Sequence, residues 1–207
     1  SEYFVPLQQR IKDRLLQIRM PNSSAPRAYD NEPVPAAATD GADSLKNGVT
    51  VKTYKGDWMW IPEFREVKAS NTLSGSSLDA SYLAGSDNTG LLITGYLSVP
   101  ESGVWTFYGA ANKGILFRLH EKLVLDGDFK YDGGEISQQV HLAKGLHPFR
   151  IYFRSESEPP SLDVKWSGPN TAKQSIAAEH LFSENDEVFI ANPNLIKKEQ
   201  HRDKLSL

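Results

Sequence analysis

The chain has 207 residues, of which 39% are hydrophobic and 24% charged, with a formal net charge of −3 and no cysteine. This length and composition predict one sizeable domain with flanking segments. The absence of cysteine excludes disulfides, thiolate metal sites and a cysteine nucleophile. The net charge is mildly negative and no basic stripe is present, which argues against a nucleic-acid partner. Because no apolar run is long enough to cross a bilayer, we expect no membrane span.

Two segments precede the main β region. In residues 1–19, apolar side chains recur at three- and four-residue intervals, which predicts one amphipathic helix. Its apolar stripe would pack on the β region or on a neighbouring domain, with a coiled coil or a membrane-surface helix as alternatives. Residues 20–48 are rich in Pro and Ala, and because the prolines break any helix we predict a linker there.

Residues 49–183 contain short stretches in which apolar and polar side chains alternate, which predicts β-strands with one buried face. In one such stretch, Arg150, Tyr152 and Arg154 are expected on the outer face. Turn residues separate the stretches, so we predict an all-β fold, an antiparallel β-sandwich or barrel. The expected inward-facing residues are Leu91, Ile93, Leu97, Val99, Ile115, Phe117, Leu119, Phe149, Ile151, Phe153, Leu162, Val164 and Trp166. A charged C-terminal extension, residues 184–207, follows.

Four segments occur in an order and spacing found in a known family. They are GYLSVPESGVWTFYGAANKG (95–114), LVLDGDF (123–129), HLAKGLHPFRIYF (141–153) and SLDVKWSGP (161–169), and they resemble the PA14 domain. The resemblance implies a β-sandwich module of the kind attached to secreted glycosidases, sulfatases, adhesins and toxins. More narrowly, the combination of residues 119–135 with residues 142–153 and 161–169 resembles PA14 modules that follow the catalytic domain of bacterial sulfatases. On this basis we expect an upstream catalytic domain as a partner and a secreted or periplasmic bacterial location, with the signal not present in this chain.

We expect these 207 residues to have no catalytic activity of their own. The sulfatase signature places a Cys or Ser two residues before Pro and four before Arg. Ser24 and Pro26 fit that spacing, but Ala28 stands where the Arg belongs. The five histidines lack metal-binding spacing and are interpreted as surface or turn residues, and no serine lies in a G-x-S-x-G turn. A pair of carboxylates that approach each other in space stays open as an alternative.

The turn after the strand TFY offers a first candidate site. The resemblance aligns Asn112 and Lys113 with two consecutive aspartates that hold calcium in sugar-binding members of the family. Because a lysine ammonium repels a cation, we expect no cofactor and disfavour calcium-dependent binding. Asn112 could hydrogen-bond a sugar hydroxyl, and Lys113 could pair with a sulfate or carboxylate of an anionic polysaccharide.

An acidic loop, residues 126–135, is the second candidate. Asp126, Asp128 and Asp132 could collect a hard cation or contact sugar hydroxyls, and the ring of Tyr131 could stack on a sugar. A solvated acidic hairpin is the simpler interpretation, because Lys130 stands where a calcium loop needs an oxygen ligand.

Trp58 and Trp60 lie two residues apart, so their rings would share a face if the segment is extended. Packing against the sandwich is the favoured interpretation, and an aromatic platform for sugars is the alternative if either ring is exposed beside a cleft. The sequence thus predicts a non-catalytic accessory module that binds or positions carbohydrate for a polysaccharide-processing enzyme. The alternative is a structural module that docks on the catalytic domain or on a partner subunit without binding glycan.

Overall fold

The structure, a computed structural model, describes residues 33–37, 45–120, 122–156 and 159–184. Within these ranges the regular elements are β-strands and three single-turn 3₁₀ helices, with no α-helix. The helix predicted at 1–19 and all of the C-terminal extension after Glu184 lie outside the described residues. None of the helices described here has the length and apolar character needed to cross a bilayer.

The larger of two antiparallel sheets consists of β1 (Leu45–Asn47), β2 (Val49–Tyr54), β3 (Asn71–Gly75), β4 (Gly90–Val99), β6 (Gly114–Leu119), β7 (Lys122–Gly127), β9 (Gly145–Arg154) and β12 (Leu181–Glu184). Strands β4 and β9 lie at its centre and pair along their whole length. Strands β6 and β7 continue the sheet beyond β9, while β2 and β12 share the opposite edge of β4.

The smaller sheet has four strands in the order β11-β10-β5-β8. Their bounds are β5 (Gly103–Ala111), β8 (Ile136–Leu142), β10 (Leu162–Gly168) and β11 (Thr171–Ser175), and the 3₁₀ helices are Phe64–Glu66, Ser81–Leu83 and Ala178–His180. The two antiparallel sheets confirm the predicted all-β fold.

The main hydrophobic core is formed by the facing sides of the two sheets. All thirteen residues predicted to face inward are buried. Aromatic rings fill the centre: the Trp105 and Trp166 centroids are 4.4 Å apart within the smaller sheet, and the Phe107 and Phe117 centroids are 5.1 Å apart across the two sheets. Removal of this apolar surface from water is the dominant stabilising contribution to such a fold.

The connection between β2 and β3 covers part of the outer face of the larger sheet. Phe64 stacks on Tyr54 with 4.2 Å between ring centroids and lies parallel to Tyr152 at 6.1 Å. Tyr152 and Arg154 are therefore buried, whereas the alternation pattern placed them on an outer face. The prediction of a single buried face was wrong for this part of the sheet, because a non-adjacent loop supplies a second apolar layer.

His147 is also buried, contrary to the expectation of surface or turn histidines. Its Nε2 lies 2.8 Å from the Ala143 carbonyl oxygen, and its Nδ1 lies 2.9 Å from Nε2 of His120. Because a carbonyl only accepts, Nε2 of neutral His147 carries the proton and Nδ1 accepts from His120. Burial lowers the pKa of His147, against a smaller opposite effect of the Ala143 hydrogen bond.

Part of the predicted linker is ordered against the edge of the smaller sheet. The Val34 N–H donates to the His141 carbonyl at 2.8 Å, and the Val34 carbonyl accepts from Ala143 N at 3.0 Å. Ala37 N donates to the Leu146 carbonyl at 2.8 Å. These bonds use backbone groups that an edge strand such as β8 would otherwise leave open.

Candidate functional site

Four connections meet at one end of the sandwich, which we call the loop end: residues 55–70, 112–113, 128–135 and those after Arg154. The register brings them together, because Gly114 at the start of β6 pairs with Arg154 at the end of β9. Three hydrogen bonds join them: Ile61 N to Asp128 Oδ2 (2.9 Å), Ala111 N to Tyr131 Oη (2.9 Å) and Asn112 N to the Ser161 carbonyl (3.0 Å).

Asn112 connects the turn before β6 to the segment after β9. Its Nδ2 donates to Ser155 Oγ at 3.1 Å, and its Oδ1 accepts from Ser161 N at 3.3 Å. The side-chain amide is thus used on both its nitrogen and its oxygen to hold two connections together. In this arrangement Asn112 positions the loop end.

Lys113 belongs to a chain of charges. Its Nζ lies 2.9 Å from Oε2 of Glu156, and the second carboxylate oxygen of Glu156 accepts from Nη1 of the buried Arg154. The hydrogen bond from Lys113 and then that from Arg154 lower the pKa of Glu156. The ammonium of Lys113 is partly exposed, and its charge is already countered within the protein.

The predicted residues of the acidic loop have different roles in the structure. Asp126 lies on β7 with an exposed side chain. Asp132 Oδ1 accepts from Gly134 N at 3.0 Å and closes a turn in which Gly133 has a positive φ of 88°. The Tyr131 hydroxyl donates to the Gly134 carbonyl at 2.6 Å, and its ring packs against the core. Tyr131 and Asp132 therefore shape the loop, and Asp126 faces solvent.

Asp128 fixes the connection after β2 to the end of β7. Oδ2 accepts from Ile61 N at 2.9 Å, while Oδ1 is buried with no hydrogen-bond partner among the described residues. Burial raises the pKa of this carboxyl, although the Ile61 hydrogen bond and Arg154 act in the opposite direction. Gly114 permits the close approach, because a Cβ there would lie 3.1 Å from Oδ1.

The two tryptophans have different surroundings. Trp58 is half-buried and packs edge-on against Phe64, with 5.7 Å between ring centroids. The backbone then bends at Met59 and Trp60, so the segment is not extended as a shared face would require. Trp60 is 58% exposed and Met59 79% exposed.

Sequence reasoning missed one prominent residue of this end, Phe129, which is 79% exposed. It follows Asp128, just as Trp60 precedes Ile61, so each aromatic residue is one residue away from the Ile61–Asp128 hydrogen bond. We call Met59, Trp60 and Phe129 the apolar tip. The only signal for Phe129 in the sequence is that a large apolar residue stands between charged neighbours in a turn-rich loop. In the structure, Nζ of Lys130 lies 5.4 Å from the centroid of the Phe129 ring.

The arrangement of side chains at the loop end favours the binding of a ligand over catalysis. Exposed aromatic rings can stack on the apolar face of a sugar ring, and neighbouring polar groups can bond its hydroxyls. In the described ranges, no three His, Cys, Asp or Glu side chains gather as metal ligands.

Comparisons with known proteins agree with the fold described above. The family model described as PA14 domain matches residues 45–180, most of the chain. No curated protein matches the sequence. An anti-sigma factor domain-containing protein of solved structure superposes with a TM-score of 0.56 at 16% identity, over 67% of this chain and 48% of that one. The chain therefore spans about half the length of that relative.

Two further solved structures are similar over nearly their whole length. The Epithelial Adhesin 9 A domain from Candida glabrata, in complex with Galβ1-4GlcNAc, has a TM-score of 0.58 at 14% identity, over 74% of this chain and 97% of that one. The PA14 sugar-binding domain from an RTX adhesin has a TM-score of 0.56 at 13% identity, over 66% and 98%. At such identities the likeness concerns the fold alone.

Proposed function

Because this chain belongs to the PA14 domain family, we propose that it is a non-catalytic module that binds carbohydrate at the loop end. The observation that carries the proposal is the exposure of Trp60 and Phe129, each one residue away from the Ile61–Asp128 hydrogen bond that joins their loops. Large apolar side chains exposed together usually mark an interaction site, because their exposure to water is unfavourable.

The polar surroundings of the apolar tip suit a hydroxylated ligand. Asp126 is exposed on β7 and offers acceptor oxygens to sugar hydroxyls. Lys113 contributes a partly exposed ammonium, which a sugar sulfate or carboxylate would share with Glu156. Asn112, Tyr131 and Asp132 hold the connections in place, and we assign them to the support of the site.

The names of the similar structures make saccharides the first ligands to test. One is a sugar-binding domain of an adhesin, and another is in complex with Galβ1-4GlcNAc. Their low identity transfers no residue role to this chain, so the proposal stands on the apolar tip and on the family.

A glycan array of the 207-residue chain tests the proposal, with sulfated and unsulfated polysaccharides, and with calcium or chelator. We expect retention on at least one glycan, insensitivity to chelator, and a loss of about five- to 150-fold in affinity in the Trp60→Ala and Phe129→Ala variants, since stacking on an aromatic side chain contributes about 1–3 kcal/mol. Val104→Ala is the matched control, because Val104 is an exposed apolar residue on β5. If the chain binds none of the glycans, the structural module is favoured, and the apolar tip would then be a docking surface for protein.

We also propose that the module belongs to a secreted or periplasmic bacterial enzyme that processes polysaccharide, most specifically a sulfatase. Support comes from the resemblance of residues 119–135, combined with residues 142–153 and 161–169, to modules of that kind. Reading the gene upstream of residue 1 tests this directly. A catalytic domain with the Cys/Ser-x-Pro-x-Arg signature is expected, and another domain type would overturn the sulfatase assignment without affecting the loop-end proposal.

A further inference from the structure

A groove of about 490 Å³ opens on the outer face of the larger sheet. It lies where β2 and β12 separate along β4: β2 pairs with residues 90–94, and β12 with Tyr96 and Leu97. We call it the outer groove; β2, β3, β4, β9 and β12 all contribute to its walls. Its volume is in the range of small-ligand sites.

The outer groove is separate from the loop end. The loop end begins at Gly90, which pairs with Arg154, whereas the groove is lined by Thr94 and Tyr96 of the same strand. Four residues of a strand span about 13 Å, at roughly 3.3 Å per residue. A ligand in the groove would therefore use different side chains from one at the apolar tip.

The polar part of the lining is rich in hydroxyl groups. Thr50 and Thr94 lie directly opposite each other on β2 and β4, and Thr72 stands on β3. Ser183 also belongs to the lining, but its side chain lies on the same face of β12 as the core residue Leu181 and is buried, so its hydroxyl faces the core. The hydroxyls available to a ligand in the groove are therefore those of the threonines.

The charges of the groove favour an anion. Lys52 lines it and has no carboxylate partner in the part of the chain that the structure describes, and Arg150 lines it from β9, with Nη2 donating to the His120 carbonyl at 3.2 Å. The carboxylate among the described lining residues, Glu184, accepts from the Tyr96 hydroxyl at 2.6 Å. That bond, with burial, raises the pKa of Tyr96 to about 12.

We propose that the outer groove is a second saccharide-binding site, specific for a sugar unit that carries an anionic group. Lys52 pairs with the sulfate or carboxylate of the ligand, and the hydroxyls of Thr50 and Thr94 bond the ring hydroxyls. A hydroxyl-rich lining with a cation suits such a ligand, since charge-assisted hydrogen bonds give the affinity and neutral ones the orientation. This site lies outside the function proposed for the loop end.

Calorimetric titration of the 207-residue chain with three probes tests the site: a sulfated galactan hexasaccharide, its desulfated counterpart and an oligogalacturonate. We expect at least one acidic probe to bind, and binding of only one of them would tell whether sulfate or carboxylate is the anion. Lys52→Met keeps the aliphatic stem and should weaken that binding about tenfold. Lys55→Met is the control, because Lys55 is exposed and paired with Asp87. Thr94→Val keeps the branched shape of the side chain and removes a lining hydroxyl, so it should also weaken acidic binding.

The loop-end variants separate the two proposals. Trp60→Ala and Phe129→Ala should leave the Lys52-dependent binding of acidic probes unchanged. If these variants abolish acidic binding while Lys52→Met and Thr94→Val bind as the wild type does, the anion is recognised at the loop end and the outer groove is not a site. Failure of the wild type to bind either acidic probe would overturn the proposal as well, whatever neutral glycans bind at the apolar tip.

Discussion

The backbone N–H of Ile61 donates a 2.9 Å hydrogen bond to Oδ2 of Asp128, and this bond fixes the position of the apolar tip. Trp60 and Phe129 are each one residue away from it. The bond joins the connection after β2 to the end of β7, two segments far apart in sequence. A ligand that contacts both rings therefore depends on this hydrogen bond, although the ligand does not itself contact the bonded atoms.

Asp128→Ala removes this acceptor and leaves the Ile61 N–H without a partner. We expect a loss of stability of about 1–3 kcal/mol and weaker glycan binding, because the two rings are no longer held in one arrangement. Asp128→Asn retains an oxygen for Ile61 and should keep most of the binding. Urea denaturation and calorimetry of both variants measure the two effects. Equal glycan affinity in Asp128→Ala and wild type would show that the bond does not organise the tip.

Trp58 and Trp60 should respond differently to truncation. Trp58→Ala removes a ring that packs on Phe64, so we expect a loss of about 2 kcal/mol, less than for a fully buried tryptophan. Trp60→Ala should change stability by less than about 0.5 kcal/mol, because the ring is mostly exposed, while glycan binding falls. Chemical denaturation of both variants, with binding measured in parallel, checks the contrast. A large stability loss in Trp60→Ala would indicate a packing role instead.

The strands could be predicted from the sequence because alternation in β9 and β10 reports directly on which side chains face the core. The same alternation pattern gave the wrong prediction for Arg154 and Tyr152, which it placed on an outer face. Their outer face is buried by Phe64 and its neighbours, and nothing in the period of β9 announces a loop about ninety residues earlier in the chain. Burial by a distant segment has no local signal.

The candidate site was predictable in its location and less so in its residues. Asn112, Lys113 and Asp128 do meet at one end, because the register places the ends of β5, β7 and β9 together. Phe129 was missed because exposure depends on tertiary contacts and not on residue type. Glu156, which counters Lys113, was missed because an ion pair across two connections leaves no spacing pattern in the sequence.

The contribution of Lys113 to anionic ligands should be limited by Glu156. In a Lys52→Met background, which silences the outer groove, Glu156→Gln is expected to raise the affinity for a sulfated hexasaccharide by about two- to fivefold, the range of an exposed ion pair. The gain should shrink as salt is increased. Asp163→Asn, which removes a partly exposed acidic partner of Lys165 on β10, is the control. An unchanged affinity in Glu156→Gln would remove Lys113 from the proposed site.

His147 should make the stability of the fold depend on pH. Burial lowers its pKa in the folded protein below the ordinary value of 6.5. The unfolded chain therefore binds a proton that the folded chain does not, and the free energy of unfolding must fall as pH decreases below about 6.5. The effect levels off once pH is below the folded pKa. Protonation also places an N–H on Nδ1, where neutral His147 accepts from His120, so the pair must rearrange.

Urea denaturation between pH 7.5 and 5.5 measures this dependence. His147→Gln should lower stability at every pH, because it disturbs a buried site, and should flatten the slope between pH 6.5 and 5.5. His141→Gln, at a partly exposed position on β8, is the matched control for the loss of a histidine. If His147→Gln kept the wild-type slope, another group would be responsible for the acid sensitivity, and the pair of His120 and His147 would have no part in it.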